Sequence, residues 1–427
     1  MTPGDPSFPS LHRLAERGWI NDPNGLAVID GRYHVFFQFN PHSTEHADIQ
    51  WGHVSSTDLV HWVEEPIALA PRPGGPDERG CWSGCLVDDD GVPTAVYTAV
   101  GVGGAHRAGA VLATSDRAAV RWEPSATIVP HSDEPHGIEV RDPFVFRFDG
   151  RRYAVQGGGA PFGMPRVVLY ACDDLGDWTP LGNLLTPDDP VAARYGDADV
   201  WECPNLFELD GKWVLVLSPL VNRAPPPRPG EVVALVGRLE PSGDGLRFHP
   251  ETAGAVDSGA SFYAPQVLVD GDRRLMWGWT RDVGRAREEV VASGWTGALT
   301  FPRELRLVDG MLRAEPAREL LGLRREPVDE AELPGAFELA GLARLRLLLD
   351  DEVVVDLDHR DAREARILVD GSVIEVFVDG MAPQTLRAYP RAGSRWRVEG
   401  EGLRAWRLGR PDGAARHPDA VARARRR

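Results

Sequence analysis

Ala27-Val28-Ile29-Asp30-Gly31-Arg32-Tyr33-His34-Val35-Phe36-Phe37 (AVIDGRYHVFF) sets two runs of β-branched and aromatic residues around Asp-Gly. That pattern is the strongest short-range hairpin signal, because a two-residue type I′ turn needs φ > 0 at both central positions. It returns at Asp90, Asp149, Asp210 and Asp270, with successive gaps of 60, 59, 61 and 60 residues. The flanks match as well: LVDDDGVPTAVYT, FRFDGRRYAVQ, FELDGKWVLVL and VLVDGDRRLMWGW. Three of the repeats continue into a similar later segment ending at Trp62, Trp122 and Trp178. A constant period of all-β units of this length predicts a propeller, one four-stranded blade per repeat. Unrelated hairpins in a sandwich would share the turn but have no reason to share the spacing. The predicted fold class is therefore all-β, with a five-bladed β-propeller over residues 1–305.

The next Asp-Gly, at Asp309, follows after only 39 residues and breaks the period. From about Glu315 the texture changes to the strand-like runs RLRLLLD, EVVVD and ILVDGSVIEVFVD. These predict a small C-terminal β-sandwich over residues 315–410. The arginine-rich end, residues 411–427, reads as a disordered tail.

With 427 residues and a formal net charge of −17, the chain is unsuited to nucleic acid or an anionic membrane surface. No apolar run reaches membrane-spanning length, and residues 1–19 lack the apolar core of a secretory signal, so the expected location is cytoplasmic. Cys81 and Cys85, four apart on a predicted strand, are too far apart for a disulfide. The four cysteines are expected to be buried free thiols. No histidine pair, paired CxxC or carboxylate cluster has metal-ligand spacing, so no metal and no cofactor is expected. His53 and His61 read as structural, and Gly157-Gly158-Gly159 as a loop.

Residues seven or eight before each Asp-Gly open the innermost strand of a blade and surround one mouth of the channel. They are Asp22, Ser83, Asp142, Glu202 and Tyr263. Three carboxylates at one register are chemically pointed, because close carboxylates repel and at least one is held protonated beside ionised neighbours. That is the inventory of a retaining glycosidase, with one carboxylate as nucleophile and another as proton donor. Asp22 and Asp142 each precede proline, which biases them toward extended backbone. Trp19, Trp51, Trp82, Trp201, Tyr263 and Trp279 lie near these positions and suit a sugar site, since aromatic rings stack on the C–H faces of sugars. Trp277, inside an apolar strand, reads as core.

The ordered motifs WINDPNG (Trp19–Gly25), QFNP (Gln38–Pro41), WGH (Trp51–His53), WSG (Trp82–Gly84), RDP (Arg141–Pro143), ECP (Glu202–Pro204) and FYAPQ (Phe262–Gln266) resemble those of the β-fructofuranosidases, glycoside hydrolase family 32. The resemblance extends to the sandwich run ILVDGSVIEVFVDG and covers about residues 12 to 408. It implies a five-bladed propeller followed by a β-sandwich, and hydrolysis of terminal β-D-fructofuranosides through a covalent fructosyl-enzyme. It implies Asp22 as nucleophile, Glu202 as general acid and then base, and Asp142 as stabiliser of the oxocarbenium-like transition state. Asn21, Gln38, Ser83 and Arg141 match positions that bind fructosyl hydroxyls or tune the carboxylates; Trp51, Trp82, Tyr263 and Trp279 match more loosely. Many members carry a tryptophan between QFNP and WGH, where this chain has His46, and Asn205 follows ECP where aspartate is common.

The implied partner is a small carbohydrate, sucrose or a short fructo-oligosaccharide. Fructosyl transfer or fructan exohydrolysis would use the same intermediate. A non-catalytic sugar-binding propeller would lack one of the three carboxylates, and all three are present.

Overall fold

The computed structural model describes residues 4–410 except 14, 105–107, 130–138, 160–163, 224–226, 360 and 362. The predicted tail at 411–427 lies outside the described residues. The structure is built almost wholly from strands. Gly18–Ile29, Arg32–Asn40, Gln50–Ser56 and Trp62–Glu64 form a first antiparallel meander. Gly80–Asp89, Val92–Val100, Gly109–Ser115 and Trp122–Val129 form the second. The third is Glu139–Phe148, Arg151–Gly159, Arg166–Asp174 and Asp177–Leu185. Val200–Leu209, Lys212–Val221, Val233–Ser242 and Gly245–Ala255 make the fourth. The fifth is Phe262–Asp270, Arg273–Thr280, Arg303–Val308 and Met311–Pro316. The first strand of each meander neighbours the first strand of the next, and that of the fifth neighbours that of the first. The inner strands thus close a ring around a channel, the arrangement of a β-propeller.

The hairpins behave as their sequence requires. Asp30 and Gly31 have φ of 48° and 73°, both in the left-handed region of a type I′ turn, and the Asp-Gly pairs at 90, 149 and 210 repeat this. The fifth differs by one residue, since Asp270 pairs with Arg273 and the loop is Gly271-Asp272. The tryptophans of the shared later segment also repeat one contact. The indole N–H of Trp62, Trp122 and Trp178 donates to the carbonyl three residues earlier, at 3.1, 3.0 and 2.9 Å.

Two expectations need correction. The fifth meander runs to Pro316, so the boundary expected at 305 falls inside one of its strands. Gly157-Gly158-Gly159 is not a loop but the end of the strand Arg151–Gly159. The glycines are there for clearance: a Cβ would stand 2.0 Å from the Trp201 carbonyl oxygen at Gly157 and 1.8 Å from that of Asp199 at Gly159.

The seam between the fifth and first meanders is closed by a short parallel pairing of Gly18–Trp19 with Trp295–Thr296. Arg13, fully buried, clasps it: its guanidinium donates to the carbonyls of Thr296, Gly297, Arg17 and Gly18 at 2.6 to 2.9 Å.

Beyond Pro316 a six-stranded sheet, containing the hairpin Glu364–Asp370 and Val373–Val378, faces a three-stranded sheet of Glu352–Asp358, Arg344–Leu349 and Trp396–Gly400. Their inner faces share a core around Phe337, Leu347, Ile367, Ile374 and Trp396. This is a β-sandwich. It meets the propeller through a buried charge network. Arg303 pairs with Asp257 at 2.7 Å and with Glu375, which also holds the Phe301 amide at 2.7 Å. His12 bridges Asp370 and Glu375 at 2.9 and 3.1 Å. Arg303→Ala would leave Asp257 buried without its cation and Glu375 with His12 alone, which should cost about 3–5 kcal/mol of stability. Equilibrium unfolding in urea checks this, and an unchanged midpoint would contradict it. No helix among the described residues is long and apolar enough to cross a membrane.

Candidate active site

Each inner strand is interrupted at the same place. In the first meander Ile20 pairs with Phe39 and Pro23 with Phe37, so Asn21 and Asp22 together face the single residue Gln38. The same two-against-one bulge sets Trp82-Ser83 against Thr98, Asp142-Pro143 against Gln156, Cys203-Pro204 against Leu217 and Ala264-Pro265 against Gly278. A bulge bends the strand and re-aims its side chains. The site is assembled on these five bulges.

The bulges correct the single register expected from sequence. Asp22 and Ser83 are second bulge residues, Asp142 is a first bulge residue, and Glu202, Tyr263 and Arg141 come just before a bulge. Three adjacent positions therefore supply the groups that meet at the channel mouth. Asp142 is also not extended as expected: its φ is 59°, and Cys203 and Ala264, the equivalent residues before proline, have 47° and 45°. Proline disfavours the right-handed helical region for the preceding residue, and the bulge takes up the left-handed one instead.

Asp22 is buried and held by donors on both oxygens. Asn21 donates to Oδ1 at 3.0 Å, while Gln38 and Ser83 donate to Oδ2 at 3.1 and 2.6 Å. Trp19 fixes Asn21 in turn, its indole N–H donating at 2.6 Å. Asp142 Oδ2 accepts from the Cys203 amide at 3.0 Å, and the Asp142 amide donates to Thr98 Oγ1 at 2.8 Å. Glu202 accepts from Arg141 on Oε1 at 3.0 Å and from the Tyr263 hydroxyl on Oε2 at 2.8 Å. Arg141 pairs with Glu139 on its other side. The Glu202 side chain is 17% exposed, whereas both aspartates are buried.

Burial pushes the Asp22 carboxyl up to about 6; the Ser83 hydrogen bond opposes this and the charge of Glu202 adds to it. Burial, then Glu202, pushes Asp142 up to about 7 against the pull of Arg141. Burial and Glu202 also raise the Tyr263 phenol, which keeps it a hydrogen donor. Burial works against the Arg141 cation, yet Glu202, Asp142 and Glu139 outweigh it and hold it charged.

Around this centre Trp19, Trp82 and Trp279 are partly exposed and form an aromatic wall. Trp19 lies 5.7 Å from Trp279 between ring centroids, and Trp279 lies 6.5 Å from Tyr263. Trp51 does not belong to that wall. It is 0% exposed, packed among Phe36 and Tyr97, and reaches the site only by donating to the Trp82 carbonyl at 3.0 Å. Trp201 is equally buried, with its indole bonded to the Tyr195 carbonyl, so it too is core. Trp277 packs in the core as expected. His53 pairs with His34 at 2.9 Å and stacks on Phe36, and His61 bonds Asp58 at 2.6 Å. Both are structural.

All four cysteines are free and buried. Cys203 is more than core, however: its thiol lies 3.5 Å from Asp142 Oδ2 and 3.8 Å from Asp22 Oδ2. Thr98 also belongs to the site, and Asn205, which stands where aspartate is common, has a structural part in it. Asn205 donates to the carbonyls of Cys203 and Pro265 and accepts from the Val267 amide, tying the fourth inner strand to the fifth. The signal for Thr98 was its place opposite a bulge, which no turn motif reveals.

The family description "Glycosyl hydrolases family 32 N-terminal domain" matches residues 12–316. The chain is 33% identical over 431 residues to the sucrose-6-phosphate hydrolase of Klebsiella pneumoniae, covering 90% of this chain and 89% of that one. It is 31% identical to the raffinose invertase of Escherichia coli, covering 92% and 91%. Among solved structures, the GH32 β-fructofuranosidase of Bombyx mori superposes with a TM-score of 0.79 at 25% identity, covering 95% of both chains. The fructan 1-exohydrolase IIa of Cichorium intybus, in complex with 1-kestose, gives 0.77 at 20% identity over 95% of this chain and 98% of that one.

Proposed function

The chain belongs to glycoside hydrolase family 32 and is a glycosidase that hydrolyses fructosides; on that premise we propose that Asp22, Asp142 and Glu202 carry the reaction with retention, and that sucrose, free or phosphorylated, is the substrate. The observation behind the assignment is the convergence of three carboxylates on one funnel in three different settings. Asp22 is oriented by three donors and has both oxygens fixed, which suits attack on the anomeric carbon. Glu202 is the most solvent-open of the three, which suits a group that must give up a proton and regain one. Tyr263 and Arg141 hold it in place. Asp142, fixed by the Cys203 amide, would accept hydrogen bonds from the fructosyl hydroxyls and stabilise the positive charge that develops on the ring. In the first step Asp22 displaces the leaving sugar while Glu202 protonates its oxygen. In the second, Glu202 takes a proton from a water whose oxygen attacks the anomeric carbon, which breaks the ester to Asp22 and releases fructose.

Asn21, Gln38, Ser83 and Arg141 would contact the fructosyl unit or tune the carboxylates, with Trp19, Trp82, Tyr263 and Trp279 walling the pocket. Four free thiols fit a reducing, cytoplasmic setting.

The purified protein should release fructose from sucrose, and the first product seen by NMR should keep the β configuration. The pH profile follows from the raised Asp22. Its carboxyl must be ionised to attack, and that of Asp142 to stabilise the ring's positive charge, so kcat/KM should fall as pH drops from about 7 through about 6. A profile flat down to pH about 4 would contradict a nucleophile in this setting.

A further inference from the structure

We propose that His46 is a positioning residue for the nucleophile, acting through the carboxamide of Gln38. The proposal rests on the reading of Asp22 as nucleophile. Gln38 faces the bulge that carries Asp22. Its Nε2 donates to Asp22 Oδ2 at 3.1 Å and to Ser83 Oγ at 2.6 Å. Ser83 donates its own hydroxyl hydrogen bond to the same Asp22 oxygen at 2.6 Å. The pattern works only with the amide nitrogen toward the carboxylate. A carboxamide has a donor end and an acceptor end of nearly the same shape. Turned over, Gln38 would set its carbonyl oxygen against a carboxylate oxygen, two acceptors in contact.

His46 holds the carboxamide in that orientation from its other end. Its Nε2 lies 3.2 Å from Gln38 Oε1, and a ring N–H there can be answered only by the oxygen end. The neutral Nε2–H tautomer and the imidazolium both carry that hydrogen, so the contact survives protonation. The ring is fixed edge-on between two indoles, 5.7 Å from Trp19 at 72° and 5.4 Å from Trp82 at 61°. Its loop is built rather than loose: Asn40 donates to Ser43 Oγ at 2.9 Å and to the Glu45 carbonyl at 3.1 Å, and accepts from the His42 amide at 2.9 Å.

The groups that face Asp22 are Asn21 from its own bulge, Gln38 from the second strand, Ser83 from the second meander and Cys203 from the fourth. The charge of Glu202 acts on it as well, and Asp22 and Asp142 act on each other. Two of these donors are held from outside the cluster, Asn21 by Trp19 and Gln38 by His46. His46 therefore reaches Asp22 without touching it.

The test compares His46→Leu, His46→Gln and His46→Phe in the full chain, following kcat and KM for sucrose across pH. With leucine or phenylalanine there is no N–H to direct at Gln38 Oε1, so kcat should fall about tenfold, the scale of one hydrogen bond. The acid limb of kcat/KM should also move upward, because Asp22 loses a donor to its charged form. Glutamine can offer an N–H from a similar place and should restore both. The proposal is overturned if His46→Leu raises KM alone and leaves the acid limb in place. It is equally overturned if His46→Gln is as impaired as His46→Leu. Should the leucine variant fail to fold, the phenylalanine and glutamine variants make the same comparison. Asp22→Asn in the same assay separates the two levels: if that variant stays active, the reading of Asp22 is wrong rather than the role of His46 within it.

Discussion

Asp22→Asn is expected to lower kcat for sucrose by about 10⁴–10⁶, the range seen when catalytic groups that act as a unit are removed. The amide cannot form the ester to fructose, and no neighbour can take its place. Ser83 and Gln38 spend their donors on it, and Asp142 is held by the Cys203 amide. The fold should survive. The Asp22 carboxyl binds its proton more tightly in the folded chain, at about 6 against an ordinary 3.8. Its contribution to stability is therefore full below about 3.8 and lost as pH rises through about 6. At pH about 8 the ionised, buried carboxylate is a burden on the order of 3 kcal/mol. An amide removes that burden and loses part of the hydrogen bonding, so the melting temperature there should be no lower than that of the parent. Retained sucrose hydrolysis in a folded Asp22→Asn protein would end the assignment.

Glu202→Gln should behave differently, and the difference identifies the role. With sucrose, whose leaving oxygen needs a proton, kcat should drop by about 10²–10⁴. With an aryl fructoside that departs as a stable phenolate, the first step needs no acid and should be nearly normal. The second step still lacks its base, so the fructosyl-enzyme should accumulate and a burst of phenolate should precede slow turnover. Azide, a nucleophile that needs no deprotonation, should then speed turnover and yield a β-fructosyl azide. Equal impairment on both substrates, with no rescue by azide, would show that Glu202 is not the acid and base.

The repeat was legible because hairpin chemistry is local. Asp30-Gly31 and its relatives had to take positive φ, and the spacing between them counted the meanders. Three carboxylates were legible too, since each lies seven or eight residues before its turn. Their register was not, because a bulge adds a residue to one strand without leaving a mark in either strand's alternation. That is why Asp142 and Glu202, treated as equivalents, occupy neighbouring positions instead. Trp51 and Trp201 show a second limit. An indole beside a polar motif residue points to the opposite face of the strand as readily as to the site, and here both point into the core. The propeller's extension to Pro316 was hidden by the long excursion between its second and third strands, which holds the helix Arg287–Ser293 and the seam. Cys203 was read as a core thiol, which it is, but the bulge places it between two carboxylates.

The clasp at Arg13 carries a consequence for how the chain is made. Its acceptors at Thr296 and Gly297 lie 283 and 284 residues further along. At a synthesis rate of about 5–20 residues per second, roughly 15–60 s separate the appearance of Arg13 from that of its partners. Throughout that interval the nascent first meander is an open-ended ribbon with one flank bare, and Asp22 sits at the edge of a half-drawn circle. Catalytic competence must therefore arrive late and all at once, when the last meander docks against the first, and the birth of the enzyme on the ribosome is set by its closing seam rather than by its active site.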